Sequence, residues 1–469
     1  MTEKQEMGQS FAAAWARLLE SRSDDSAILN PDHRTLRRFG EIEAERQTWE
    51  ERLLRLRPGS VVVAQLDNHA TWPALFLAIL DLQLVLVPIE PEAAPTSFAA
   101  TLELLHAAAV ITEAGVEFRT SAPIAWSDSQ PCLLKLTSGT SGKPRAVRFR
   151  EEQLLADCRN ICVSMDIRPD DVNFGVIPFA HSYGFSNLIT PLVYQGTTLI
   201  ASSDRMPRAI KHDLQQSGAT IFPGTPAIFQ ALAALAGTDS LGRVRTCITA
   251  GAALPPETAR LFHGRYRLPI HNFYGSSECG GIAYDRTPQP SAPAGFVGSA
   301  LDGVQIDLLA DNRIRVRGAN VADGYFPVDD PDKLGQLGFM PDDLVRSEPA
   351  GLILFGRITD VLNVAGRKVH PSTIEDHLRH LPGITDAIVF GIPSPTRNQD
   401  LVALVQAKPE LSVAEIEAHC RSGLPAWQVP REFHVVEQMP VNARGKVSRT
   451  ELAKTFVTDG IIPGSGQNR

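Results

Sequence analysis

The 469-residue sequence predicts an α/β protein: a large N-terminal domain of α/β subdomains plus a β-rich subdomain, and a small α+β C-terminal domain. Three observations lead there. Between residues 26 and 300 short apolar runs alternate with helical patterns, as expected of largely parallel sheets covered on both faces. After residue 300 the texture turns to hairpins. From residue 371 onward strand-like runs interleave with helices over about a hundred residues, a normal domain size. The length also exceeds what one hydrophobic core usually serves. The boundary is expected near 356–360, giving segments 1–356 and 357–469.

The elements follow in order. VVVAQL (61–66), LVLVPI (84–89) and AAVIT (108–112) read as strands, with a helix at 72–82 between the first two. FGVIPF (174–179), TTLIAS (197–202), ATIFPG (219–224) and VRTCITAG (244–251) continue the strand series. The helix expected at 151–166 opens on acidic residues, where the helix dipole favours them. VQIDLLADNRIRVRG has two alternating strands around a turn at Asp311-Asn312. GLILFGRITDVLNVAGRKVH (351–370) reads as a second hairpin-like unit that leads into a helix at 371–381. AIVFGI, LVALVQ and FHVVEQ then interleave with a helix at 413–421, and GIIPGSGQNR reads as a frayed tail.

Composition narrows the function classes. A net charge of −8 weighs against general nucleic-acid binding, which wants a basic surface. The longest apolar stretch, Trp72 to Ile89, is broken by Pro73, Asp81 and Gln83, so it reads as a buried helix and a strand, not a membrane span. The N-terminus lacks the basic start and apolar run of a signal peptide. Cysteines 132, 158, 162, 247, 279 and 420 show neither pairing logic nor zinc-ligand spacing. They read as reduced thiols of a cytoplasmic protein.

Four segments carry chemistry. LTSGTSGKPRAV (136–147) groups Thr137, Ser138, Gly139, Thr140, Ser141 and Gly142 ahead of Lys143. Small residues let successive N–H groups converge on one anion, while hydroxyls and a lysine add donors, so the stretch reads as a phosphate cradle. Its spacing is not that of the P-loop, which needs a longer gap and a hydroxyl after the lysine. HNFYGSSECGGIAYD (271–285) offers a Tyr-Gly turn with an aromatic face (Tyr274), hydroxyls (Ser276, Ser277) and a carboxylate (Glu278) suited to base stacking, phosphate contact and Mg²⁺. FGRITDVLNVAGRKVHPSTIE (355–375) has Arg357 beside a turn and Lys368 on the next strand. MPVNARGKVSRTEL (439–452) puts Lys446 after Gly445 in a short turn. Taken singly, each is also what a solvated turn or strand edge looks like.

Together, and in this order over nearly the whole chain, they resemble the adenylate-forming superfamily of acyl- and aryl-CoA synthetases, peptide-synthetase adenylation domains and beetle luciferases. PFAHSYG (178–184), TAGAALP (249–255) and VRGANVADGYF (316–326) add to the resemblance. It implies an AMP-forming ligase that uses ATP and Mg²⁺ to turn a carboxylic acid into an acyl-adenylate, then passes the acyl group to a thiol. It also implies that the C-terminal domain is mobile, so that one site serves both half-reactions. By position, residues 137–143 would cover the ATP phosphates. Tyr274 and Gly275, with backbone from Gly251, would flank adenine, Ser277 would reach the α-phosphate and Glu278 would hold Mg²⁺. Asp343 with Arg357 would hold the ribose, and Lys446 would bridge the acid carboxylate and the α-phosphate. The cation is needed because attack of a carboxylate on a phosphate brings two anions together.

The chain departs from the family pattern at three places, one of them a short segment ahead of the phosphate loop that implies a trimmed N-terminal subdomain. The ribose aspartate follows Pro341-Asp342, leaving Asp342 and Asp343 both as candidates, and the hinge position is Thr359, followed by Asp360. His181 stands where amino-acid-activating relatives carry an aspartate, which implies a non-amino acid, fatty or aromatic. The acceptor stays open between CoA and the phosphopantetheine of an acyl carrier protein, and the loop around Gly366 would approach either thiol. A non-catalytic nucleotide-binding relative is the third reading, disfavoured by retention of Lys446 and Glu278.

Overall fold

The computed structural model describes residues 10–91, 95–126, 130–138, 144–237, 240–287, 293–364, 367–394, 397–440 and 448–459. The chain divides into two compact units. The first comprises the chain to Leu309 with Ile314–Pro341 and Ser347–Ile353; the second comprises Ala310–Arg313, Asp342–Arg346 and everything from Leu354.

In the first unit one sheet runs Thr35–Arg38, Ser26–Leu29, Thr198–Ala201, Val172–Gly175, Ile221–Gly224, Thr246–Thr249, Ile270–Ser276, Gly280–Tyr284 and Phe296–Ala300. From Ser26–Leu29 to Ile270–Ser276 its pairings are parallel; beyond that they are antiparallel. A second sheet runs Gly324–Phe326, Pro144–Phe149, Leu133–Ser138, Val85–Ile89, Val61–Gln65, Ala109–Thr112 and Gly115–Phe118. Its middle is parallel, whereas Leu133–Ser138 and Pro144–Phe149 form an antiparallel hairpin. Helix Trp72–Asp81 is buried from Trp72 through Ile79, which explains its uninterrupted apolar face. Among the described residues no helix is long and apolar enough to cross a membrane.

The α/β class holds, and several elements differ in extent. The strand expected at 174–179 is Val172–Gly175, because the main chain leaves the sheet before Pro178 to lead into the His181 segment. The hairpin at Asp311-Asn312 forms between Val304–Leu308 and Ile314–Gly318, with Asn312 left-handed (φ 62°). The stretch 351–370 is not one hairpin. Gly351–Arg357 adds to the first sheet through Phe296–Ile353 and Gly298–Leu352, and the hairpin forms later, between Leu362–Val364 and Arg367–Val369. Local alternation is the same in all three strands, so only tertiary pairing could separate them.

The second unit packs a five-stranded sheet against helices. Its order is Arg367–Val369, Leu362–Val364, Asn398–Ala407, Ile384–Ser394, with Glu432–Val436 parallel to Asn398–Ala407. Period-two alternation splits the strand Ile384–Ser394 between two cores. Ala387 and Val389 face a cluster that includes Ile374, Leu378, Ile416 and Cys420; Ile388 and Phe390 face Met439, Leu452 and Phe456. Helix Pro371–Arg379 starts on proline, whose missing N–H costs nothing there, and Val413–Gly423 is closed by a Ser412/Glu415 capping box.

An ion-pair network ties this unit together. Arg449 donates from Nη2 to both Glu375 oxygens (2.7 and 2.8 Å) and from Nε to Val389 O (3.1 Å), and it also pairs with Asp360. Burial pushes the Glu375 carboxyl above its ordinary value of 4.5, opposed by Arg449 and the Val389 N–H. Arg449→Met should therefore leave an unpaired buried carboxylate and cost the second unit about 3–5 kcal/mol at neutral pH. A carboxyl whose folded pKa lies above its unfolded value carries a penalty that grows as pH rises from the unfolded toward the folded value. The loss should accordingly shrink as pH falls toward the acid range, read by urea unfolding of wild type and variant at neutral and mildly acid pH.

Candidate functional site

Glu278 sits in the tight connection between strands Ile270–Ser276 and Gly280–Tyr284. Four groups fix that connection. Tyr325 Oη donates to Glu278 Oε1 (3.1 Å), Ala322 N donates to Glu278 O (3.0 Å), Asn320 Nδ2 donates to Cys279 O and Gly281 O, and Gly281 N donates to Asp157 Oδ1 (2.8 Å). Burial raises the Glu278 pKa; the Tyr325 hydroxyl, the local N–H and the Lys333 charge pull it back. The turn also shows where the reading of 271–285 changes. Tyr274 and Gly275 lie within the strand and not in a turn, with Tyr274 opposite Ala283, so the turn begins only after Ser276. Ser276 caps it, its Oγ accepting from Glu278 N (3.2 Å), and Ser277 is half-buried beside it.

The segment read from sequence as a phosphate cradle runs from the hairpin strand Leu133–Ser138 toward its partner Pro144–Phe149, paired in register from Leu133–Phe149 to Ser138–Pro144. Thr137 Oγ1 donates to Arg145 O (3.4 Å). Gly139, Thr140, Ser141, Gly142 and Lys143 lie outside the described residues, as do the Ser138 side chain, Gly366 and Lys446. Behind the hairpin the Arg145 guanidinium lies 4.0 Å from the Tyr325 ring centre, so the residue that holds Glu278 is also packed on this hairpin.

His181 caps a short helix, its Nδ1 accepting from Tyr183 N (3.2 Å), which leaves the ring proton on Nε2. Its segment is held by Asn68, whose Nδ2 donates to Gly175 O and Ile177 O and whose Oδ1 accepts from Phe179 N (2.9 Å). Directly after it the chain makes a π-helical turn, Phe185–Ile189, a form common near functional sites. Gly251 is left-handed (φ 90°), and a Cβ there would meet nothing within 4 Å, so its face is open.

In the second unit Arg357 Nε donates to Asp343 Oδ1 (2.8 Å). Asp342 uses its carbonyl to accept from Ile358 N. The structure thus joins Arg357 to Asp343, the second of the two candidate carboxylates. Thr359 and Asp360 lie in the 3₁₀ turn Ile358–Asp360, and Asp360 is held by Arg449. Sequence reading missed Asn68, Asp157, Asn320, Tyr325 and Arg449, which bond the segments described above, and the buried Lys135. Only Lys135 left a visible signal, as a charge inside an apolar strand.

The chain carries, in order, the AMP-binding enzyme domain over residues 119–326 and the AMP-binding enzyme C-terminal domain over 373–446. It is 27% identical over 342 residues to a sulfoacetate–CoA ligase of Cupriavidus necator, covering 69% of this chain and 66% of that protein. To a feruloyl-CoA synthase of an Amycolatopsis species it is 25% identical, covering 87% of this chain and 86% of that one. The ATP-bound crystal structure of MatB from Rhodopseudomonas palustris shares the fold, with a TM-score of 0.83 and 20% identity over 95% of this chain and 99% of that one. Fold and sequence agree on an ATP-using, adenylate-forming class of protein. The chain belongs to the AMP-binding enzyme family.

Gly280 is left-handed (φ 67°), and a Cβ there would overlap the Asp157 carboxylate. Gly280→Ala should cost about 1–3 kcal/mol from backbone strain alone. It should also loosen the Glu278 turn, seen as faster amide hydrogen exchange at Gly281.

Proposed function

We propose that the protein activates a non-amino carboxylic acid, fatty or aromatic, with ATP to an acyl-adenylate and then transfers the acyl group to the thiol of CoA. The observation that carries this reading is Glu278: a half-buried carboxylate fixed at a hairpin end by Tyr325 and main-chain bonds, in the same unit as the phosphate hairpin and His181. The named relatives are CoA ligases, which favours CoA over a carrier-protein phosphopantetheine as acceptor. The acids in their names, sulfoacetate and ferulate, carry no amino group, in keeping with His181 where amino-acid-activating enzymes need an anion. All six cysteines are free thiols, in keeping with a reducing cytoplasm.

Among the described residues no cluster of three or more His, Cys, Asp or Glu could cage a metal. A single carboxylate does suit Mg²⁺, which is commonly held by one or two carboxylates together with substrate phosphates. Glu278 would hold it, and it would neutralise charge on the phosphates and the leaving pyrophosphate. The chain's own residues do the rest. Residues 137–143 bind the β- and γ-phosphates, and Ser277 bonds the α-phosphate. Tyr274 and the open face at Gly251 bound the adenine, while Asp343, aligned by Arg357, accepts from the ribose hydroxyls. His181 lines the acid's site and offers Nε2–H as a donor. Lys446 supplies the positive charge that attack of a carboxylate on the α-phosphate requires; the carboxylate oxygen bonds to phosphorus as pyrophosphate leaves. In the second half-reaction the CoA sulfur bonds to the acyl carbon and AMP leaves.

Lys446→Ala should lower acid-dependent ATP–pyrophosphate exchange by about 10²–10³-fold while ATP binding stays measurable by calorimetry. Wild-type exchange in the variant would remove Lys446 from the reaction. Exchange screened over fatty, aromatic and amino acids identifies the acid class, and activity with amino acids alone would overturn the reading of His181.

A further inference from the structure

Lys135 lies in the strand Leu133–Ser138 among leucines, yet its side chain is buried, with the residue 5% exposed. Lysine is almost never fully buried unless it is paired. Its Nζ is 3.3 Å from Ser186 Oγ and 4.4 Å from the centre of the Phe149 ring. The strongest opposing charge on it is Asp157, itself 1% exposed. Strand alternation puts Lys135 on the same face as Thr137, so it stands directly behind the start of the phosphate hairpin.

The three partners come from three different parts of the candidate site. Lys135 belongs to the hairpin that leads into residues 139–143. Ser186 belongs to the π-helical turn that follows His181. Asp157, on helix Glu151–Ser164, holds Gly281 N, three residues after Glu278. Burying a cation and an anion gains little stability over apolar side chains of the same volume. What Lys135 adds is a directional hydrogen bond to Ser186, with the Asp157 charge favouring its ammonium form, among segments whose relative placement has to be right, since errors of about 1 Å in a reacting geometry can cost on the order of 10²-fold in rate.

We propose that Lys135, with Ser186 and Asp157, is a positioning residue for ATP and its metal: the buried trio holds the phosphate hairpin, the His181 segment and the Glu278 turn in one arrangement. The proposal rests on the reading of these segments as an ATP site. Its test compares wild type, Lys135→Met, and the double variant Lys135→Met/Asp157→Asn by thermal melting, calorimetric binding of ATP in Mg²⁺, and exchange kinetics. Lys135→Met alone strands the Asp157 charge and should lower Tm. The double variant removes both charges, while the amide oxygen introduced at position 157 can still accept from Gly281 N, so its Tm should return close to wild type. ATP affinity and exchange kcat in the double variant should nonetheless stay reduced by about tenfold or more, as when residues supporting a metal ligand are changed.

A double variant with wild-type Tm and wild-type ATP affinity would overturn the proposal and leave the trio as core structure. Should the double variant fail to fold, Ser186→Ala, which deletes one hydroxyl, decides the question. Weaker ATP binding at unchanged Tm supports the proposal, and unchanged binding overturns it. A wild-type protein that binds no ATP would overturn the functional reading itself, an outcome distinct from a normal wild type with an unaffected variant.

Discussion

Glu278 is a carboxylate at the end of a buried hairpin, and several groups of the first unit oppose what that burial does to its charge. Desolvation raises its pKa, and the Tyr325 hydroxyl, the local N–H and the Lys333 charge work in the opposite direction. Because Tyr325 and Lys333 are distant in sequence from Glu278, the carboxylate gains their help only once the sheets have formed. Tyr325 lies on the strand Gly324–Phe326, which pairs with the hairpin strand Pro144–Phe149. The same residue that holds Glu278 is therefore anchored to the hairpin Leu133–Ser138/Pro144–Phe149, and Arg145 packs on its ring.

This arrangement explains the placement of polar groups that would otherwise be costly. Asp157, Asn320 and Asn68 are buried or half-buried, and each bonds main-chain groups at the end of a strand that leads into the site. Strand ends leave main-chain groups without ladder partners. A side chain that supplies the missing bond also fixes where the next loop starts. In the second unit Arg449 does the equivalent work, binding the buried Glu375 on one side and Asp360 of the turn Ile358–Asp360 on the other.

The candidate site was proposed from sequence because phosphate, metal and carboxylate chemistry require particular residue types at short spacing. A glycine- and hydroxyl-rich stretch ahead of a lysine, and an aromatic–hydroxyl–carboxylate run, carry their meaning locally. Supporting residues do not. Asn68, Asp157 and Tyr325 act from 111, 124 and 47 residues away from the positions they hold, so no local pattern marks them. Which of Asp342 and Asp343 pairs with Arg357 was likewise invisible, since adjacent carboxylates differ only in which way a strand turns them. In the structure Asp343 faces Arg357, while Asp342 contributes its carbonyl.

The sequence by itself determined the α/β class, the order of elements and the family, because periodicity and local composition respond to secondary structure and short motifs keep their order along the chain. It could not separate the strand at 351–357 from the hairpin at 362–369, since alternation is the same whichever sheet a strand joins. Tertiary structure decided that pairing, the handedness at Gly280 and Gly251, and the burial of Lys135 against Ser186. These depend on contacts between segments far apart in the chain, and a buried charge is tolerable only where folding brings its partner to it.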